Sequence, residues 1–272
     1  MQRHPTRILK AVALIISAIV LAGPVRAEGL SADTDSQQTA RALLMAMADF
    51  LSKADSFSVV IHAGYDVLQE SGQKIEFGQK GEISLDRPER MAVASESSDG
   101  DVQRIVMDGS FVTVADEQAE VYAQTAQPGS LDQTIVYFVQ DLQMRLPLAP
   151  LFMQALPAEL QRRVLTIDYV ELDNTLDVPT HHIAGRTETV DFQIWIADGE
   201  QPVPMRVVLT YVNADGAPQF WANFNAWNFA PQFKEGTFAF APAKDAKRIP
   251  FASELSLLTP GAPKPGTEGV AQ

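Results

Sequence analysis

Alternation of apolar and polar residues with a period of two constrains the fold of this chain more than any other feature. Phe57, Val59, Ile61, Ala63, Tyr65 and Val67 take one phase, and Ser58, Val60, His62, Gly64, Asp66 and Leu68 the other. Successive strand side chains point to opposite faces, so this run is one long strand with a largely apolar face. The pattern resumes at Ile75, Phe77, Ile83 and Leu85, where Gly78 and Gly81 offer places for a bend or bulge. Shorter runs follow at residues 91–94, 102–107, 111–115 and 121–122. Glu70-Ser71-Gly72, Arg87-Pro88-Glu89, Ser98-Asp99-Gly100 and Asp108-Gly109 separate them as turns. Turns this short join antiparallel neighbours, and the first half reads as an antiparallel meander.

A second set of strands falls at residues 165–172, 180–185 and 189–196, then at Val207, Leu209 and Tyr211, and at 219–228. Val190, Phe192, Ile194 and Ile196 share one face against Asp191, Gln193 and Trp195. In the last run Phe220, Ala222, Phe224 and Ala226 oppose Trp221, Asn223, Asn225 and Trp227, and Phe238 with Phe240 predicts a final edge element. The period changes to that of a helix in two places. Ala40, Leu43, Leu44, Met47, Phe50, Leu51 and Ala54 line one side of a helix over residues 36–54. Ser130 caps a second helix with Leu131, Ile135, Phe138, Val139 and Leu142 on one face. Leu146-Pro147 ends it, an almost wholly apolar stretch follows, and Pro157 opens another short helix. A helix, six strands, a helical insert and about five more strands predict an α+β fold with one large curved antiparallel sheet.

Arg3, Arg7 and Lys10 precede an apolar run at residues 11–22, broken by Gly23-Pro24 and followed by Val25-Arg26-Ala27. This is the form of a secretory signal peptide cleaved after Ala27, with an apolar core of about twelve residues that is too short to span a bilayer. Residues 28–258 then form a single domain, and the Pro/Gly-rich residues 259–272 read as a disordered tail. The chain holds no cysteine, which removes disulfides, thiolate metal sites, thiol nucleophiles and a lipidated N-terminal Cys. With 34 acidic against 21 basic residues, the net charge of −13 argues against binding to nucleic acid.

Catalytic patterns are sparse. His62, His181 and His182 lack metal-ligand spacing, and the last two are neighbours that point to opposite faces of a strand. Nucleophile-elbow and phosphate-loop motifs are absent. Turn geometry explains the Asp-Gly pairs. Neither a cofactor nor a metal is implied, and the expectation is a non-enzymatic protein. Trp195, Trp221 and Trp227 read first as sheet-face material, with a carbohydrate or lipid site as the alternative.

Several segments together resemble a family of predicted periplasmic proteins, within the broader class of the outer-membrane lipoprotein carriers (LolA/LolB type). They are Tyr65-Asp66-Val67, Gly72-Gln73-Lys74, Arg87-Pro88, Asp108-Gly109 and Pro128-Gly129-Ser130-Leu131-Asp132. Leu146-Pro147-Leu148, Val178-Pro179-Thr180-His181-His182, Asp191-Phe192-Gln193-Ile194-Trp195-Ile196, Pro202-Val203-Pro204, Thr210-Tyr211 and Trp227-Asn228 continue them. The resemblance implies an incomplete β-barrel whose concave face is covered by helices, with a hydrophobic cavity between that the carriers use for acyl chains. No residue matches the carriers' cavity arginine. Thr180 stands where many relatives are expected to have Cys.

The reading that results is a soluble, monomeric periplasmic protein binding a lipid, acyl chain or lipoprotein-like amphiphile between sheet and helical lid. Phe57, Val59, Ile61, Tyr65, Phe77, Leu131, Ile135 and Phe138 are the expected ligand-facing residues. The alternative is an interaction or envelope-stress sensor module that binds an envelope membrane protein. A hydrolase ranks third, and it needs a cleft with paired carboxylates or a carboxylate beside a histidine.

Overall fold

The computed structural model describes residues 34–144 and 146–253; the leader and most of the tail, including the whole of 259–272, lie outside them. Helix α1 (Thr34–Lys53) is followed by β1 (Ser56–Leu68), β2 (Lys74–Asp86), β3 (Arg90–Ser97), β4 (Val102–Asp108), β5 (Phe111–Asp116) and β6 (Val121–Ala126). The insert comprises α2 (Leu131–Gln140), a single 3₁₀ turn (Ala149–Phe152) and α3 (Leu156–Arg163). β7 (Thr166–Asp173), β8 (Thr180–Arg186), β9 (Val190–Ala197), β10 (Pro204–Tyr211), β11 (Gln219–Asn228) and β12 (Lys247–Arg248) complete it.

All twelve strands form one sheet in the order β12-β6-β5-β4-β3-β2-β1-β11-β10-β9-β8-β7. Two meanders thus meet at the β1–β11 pair, where Tyr65 lies opposite Phe220 and Ala63 opposite Ala222. The sheet is curved and unclosed, an incomplete barrel with helices, as the α+β expectation required. Its extra strand, β12, pairs parallel to β6, whereas the other pairs are antiparallel.

Helices and sheet share one core. Ala40, Leu44, Met47, Ala48 and Leu51 of α1 and Leu131, Ile135 and Phe138 of α2 pack with Phe57, Val59, Ile61 and Ala63 of β1. Local chemistry fixes these covers. Ser130 Oγ accepts from the Gln133 N–H while Gln133 Oε1 accepts from the Ser130 N–H, a capping box that starts α2. The Asp132 carboxylate accepts the N–H groups of Gln154 (2.9 Å) and Ala155 (2.8 Å), which ties α2 to the start of α3. Arg87 Nε donates to the carbonyl of Ala54 at 3.0 Å and Nη2 to that of Leu51 at 3.5 Å, satisfying the C-terminal end of α1. Burial lowers the Arg87 pKa, and the charges of Asp132 and Asp55 oppose that shift.

Over β3 to β6 the other face of the sheet is covered as well. Val106, Thr113 and Ala115 point away from the helices by register, yet they are buried. The chain after β11 runs across them: Phe238 lies under the Arg90 guanidinium (4.9 Å), and Phe240 packs on Tyr122 (5.1 Å). The expected edge element at Phe238 and Phe240 is therefore corrected. Their rings cover a sheet face instead of extending the sheet, and the edge strand comes later, at β12.

Trp227 is a second correction. A bulge between β1 and β11, where Ala226 takes a positive φ of 52°, inserts one residue and breaks the alternation. Trp227 consequently turns to the core, 5.4 Å from Phe57 and 5.7 Å from Phe224 between ring centroids.

Candidate functional site

The eight residues expected to face a ligand divide into two groups. Phe57, Val59, Ile61, Leu131, Ile135 and Phe138 join one core cluster, while Tyr65 and Phe77 lie outside it. Phe57, Phe138 and Phe152 are 0% exposed. A side chain without accessible area borders no space wide enough for water, so the interface of α2 with the sheet is filled in this conformation. The two cavities described lie elsewhere. One, of about 410 Å³, is a surface groove between the outer side of α2 and Met153 and Ala155. The other, of about 210 Å³, lies between the start of α1 and residues 165–167.

Tyr65 and Phe77 share the helix-bearing face but extend beyond the helices. They are a direct cross-strand pair with stacked rings 6.1 Å apart. Val67 and Ile75 form the next pair on the same face, and all four side chains are 38–40% exposed. The row continues inward through Phe220 and Leu209 to Phe192. The sheet thus presents an apolar, aromatic surface that starts in solvent and continues into the core. Such a patch is uncommon where nothing binds.

Helix α1 does not follow β1. Two residues, Ala54 and Asp55, link its end to the start of β1, while its first turn lies at the β7 edge, where Ser36 Oγ donates to the Tyr169 carbonyl at 3.3 Å and accepts the Tyr169 N–H at 3.1 Å. The helix therefore crosses the strands from β1 to β7, and the far end of β1, from Tyr65 to Leu68, extends past it into solvent.

Next to this patch, still on the helix-bearing face, lies a strip of uncharged polar side chains that the sequence reading did not single out. Gln79 pairs with Ser97, and Ser95 with Gln103. The period-two signal contained them: proceeding outward along β2, the helix-facing positions change from Leu85 and Ile83 to Gly81 and Gln79 before returning to Phe77. A polar interruption between two apolar stretches of one strand face marks the border of a covered core.

The opposite face carries a ladder of aromatic and charged groups across β7, β9, β10, β11 and β2. Trp195 Nε1 donates to Asp173 at 2.9 Å, and Trp221 Nε1 donates to Glu76 at 3.0 Å. Between them Arg206 lies 5.6 Å from the Trp195 ring and 5.5 Å from the Trp221 ring, and donates to Asn223 at 2.8 Å. His182 stacks on Trp195 at 4.0 Å. Asp173 and Glu76 take up the indole donors, and Asn223 and the two indole faces engage the guanidinium, which fits a sheet-face clasp better than a carbohydrate site.

Two histidines have a carboxylate nearby: His182 Nδ1 lies 3.9 Å from Glu171, and His181 is closer to its own. Its Nε2 lies 3.2 Å from Asp198 and its Nδ1 3.3 Å from the Tyr169 hydroxyl. In the neutral ring the tautomer that satisfies both contacts has the proton on Nε2, facing the carboxylate, with Nδ1 accepting from Tyr169. Burial, with Asp198 and Glu171 nearby, raises the Tyr169 pKa. None of these residues lines either described cavity. Among the described residues, no group of three or more His, Asp or Glu is placed to hold a metal ion, and no helix is long and apolar enough to cross a membrane.

The fold and this face define a curved-sheet protein of the incomplete-barrel class, with helices on one side of an unclosed sheet. The chain belongs to the family described as predicted periplasmic protein (DUF2092), whose model matches residues 40–252. Among curated proteins none matches the sequence. Among solved structures it is similar to the lipoprotein LppX of Mycobacterium tuberculosis, at 13% identity and a TM-score of 0.44, covering 73% of this chain and 99% of that one. It is also similar to a chain of the MucA/MucB complex of Pseudomonas aeruginosa, at 14% identity and a TM-score of 0.40. That match covers 75% of this chain but only 61% of the other. A LolA superfamily protein of Nitrosomonas europaea matches at 10% identity and a TM-score of 0.37, covering 74% of this chain and 97% of that one.

Proposed function

We propose that this protein is exported to the periplasm, where it holds an amphiphile against the helix-bearing face of its sheet without covalent chemistry or a cofactor. One observation carries the proposal: the apolar face of β1 and β2 outruns its helical cover at Tyr65, Val67, Ile75 and Phe77 and continues inward to the core. The acyl chain of a lipid or lipoprotein-like ligand lies first on this exposed stretch. Deeper binding requires α2 to swing away from Phe57, Val59 and Ile61, because the space beneath it is filled. Apolar burial drives association at about 25 cal/mol per Å², before the entropic costs of binding are subtracted.

The same filled core supports a second reading. With no room under α2 in this conformation, the exposed patch suits an apolar segment of an envelope membrane protein, bound at the surface. Native mass spectrometry of the protein purified from periplasm without detergent separates the two. A stoichiometric amphiphile, lost in a Phe77→Asp variant, is the expected result. A bare mass for the native protein, combined with cross-linking of the 65–77 hairpin to a membrane protein, would establish the second reading instead.

A further inference from the structure

Resting on that proposal, we infer that the open end selects amphiphiles whose head group is uncharged and rich in hydroxyls, such as a sugar or glycerol, over those with an anionic head. Beside the stacked pair Tyr65 and Phe77, the neighbouring helix-facing positions are Gln79, Ser95, Ser97 and Gln103. Gln79 is two residues from Phe77 on the same strand and directly opposite Ser97, so amide and hydroxyl lie within one head group's width of the rings. Among the described residues none of these four polar side chains has a hydrogen-bond partner, and Gln79, Ser95 and Ser97 are half-buried. Their donors and acceptors remain free for a ligand that offers both, which hydroxyl groups do.

Charge points the same way. The basic residues of these strands, Lys74, Lys80, Arg90 and Arg104, fall at register positions on the opposite face. Lys74 and Lys80 are further engaged there with Asp66 (3.5 Å) and Glu96 (3.0 Å). By register the helix-bearing face carries acidic positions in this region, Asp116, whose carboxylate accepts the Ala119 N–H at 2.8 Å, and Asp101, whose carbonyl accepts the Ser97 N–H at 2.9 Å. The chain as a whole is strongly acidic. An anionic head on this surface would meet repulsion and, among the described residues of these strands, no cation on its face to pair with, whereas a neutral polyol would meet amides, hydroxyls and flat aromatic carbon.

Three single-chain amphiphiles with the same ten-carbon tail test this: decyl maltoside, decyl phosphocholine and decanoate. Each is titrated below its micellar concentration at neutral pH by isothermal calorimetry. Decyl maltoside is expected to bind at least tenfold more tightly than decanoate. Q79A combined with S97A should weaken the maltoside at least fivefold and leave decanoate unchanged, while Q79K should strengthen decanoate. Decanoate binding as tightly as maltoside, or a double variant with full maltoside affinity, would overturn the head-group inference and leave the amphiphile reading intact. Failure of all three to bind would overturn both.

Discussion

The two halves of the β1–β2 hairpin have the same alternating pattern and different surroundings. Near its base, Phe57 and Leu85 are 0% exposed beneath helices; toward its tip, Tyr65 and Phe77 occupy the same face and are 39% and 40% exposed. Both ends are apolar, both are cross-strand pairs, and β2 runs unbroken along β1 through both. The difference lies in the covering elements, which end before the strands do. A covered pair holds the fold together, whereas an uncovered pair of the same residue types is available to a ligand.

The sharpest way to break this comparison is to truncate one aromatic residue at each end. Phe57→Ala, at the covered base, is expected to cost about 3–5 kcal/mol in urea unfolding, because it removes a fully buried ring and leaves a cavity. Phe77→Ala is expected to stay within about 0.5 kcal/mol of the parent and to lose amphiphile binding. Equal losses of stability would show that the tip is also part of the core.

A smaller effect tests whether the uncovered end is held rigid from the opposite face. Gly64 sits beneath the Trp221 ring, where an added Cβ would lie 2.7 Å from ring atoms. Gly64→Ala should cost about 1–3 kcal/mol as the indole is displaced. The displaced indole should also lose its bond to Glu76, visible as a change in tryptophan fluorescence. The smallest effect belongs to the covered end. Ala226, at the bulge that turns Trp227 toward Phe57, holds a left-handed backbone conformation that disfavours a Cβ. Ala226→Gly should therefore raise stability by about 0.5 kcal/mol, read from the midpoint of urea unfolding.

Much of this architecture was legible in the residues. Period-two alternation located the long β1 and its neighbours, the helical spacing from Ala40 to Leu51 marked α1, and Ser130 marked the start of α2. Alternation tells which face a side chain takes and nothing about what lies over that face. Hence Tyr65 and Phe77 were grouped with Phe57, although the helices stop short of them. The strip at Gln79, Ser95, Ser97 and Gln103 went unseen for a related reason, since it arises only when three strands are placed in register. The bulge at Ala226 depends on how β11 pairs with β1, a long-range choice that no local pattern encodes, so Trp227 was assigned to the wrong face. Phe238 and Phe240 alternate like strand residues, but the half-sheet they cover formed much earlier in the chain.

Photolabelling tests the central claim most directly. The purified protein is irradiated with a ten-carbon alkyl maltoside carrying a diazirine in its tail, and the labelled peptides are mapped by mass spectrometry. The account predicts labelling concentrated in residues 63–79, competed away by unlabelled decyl maltoside and abolished by Phe77→Asp. Competable labelling confined to the opposite face, around Trp195, Arg206 and Trp221, would contradict it.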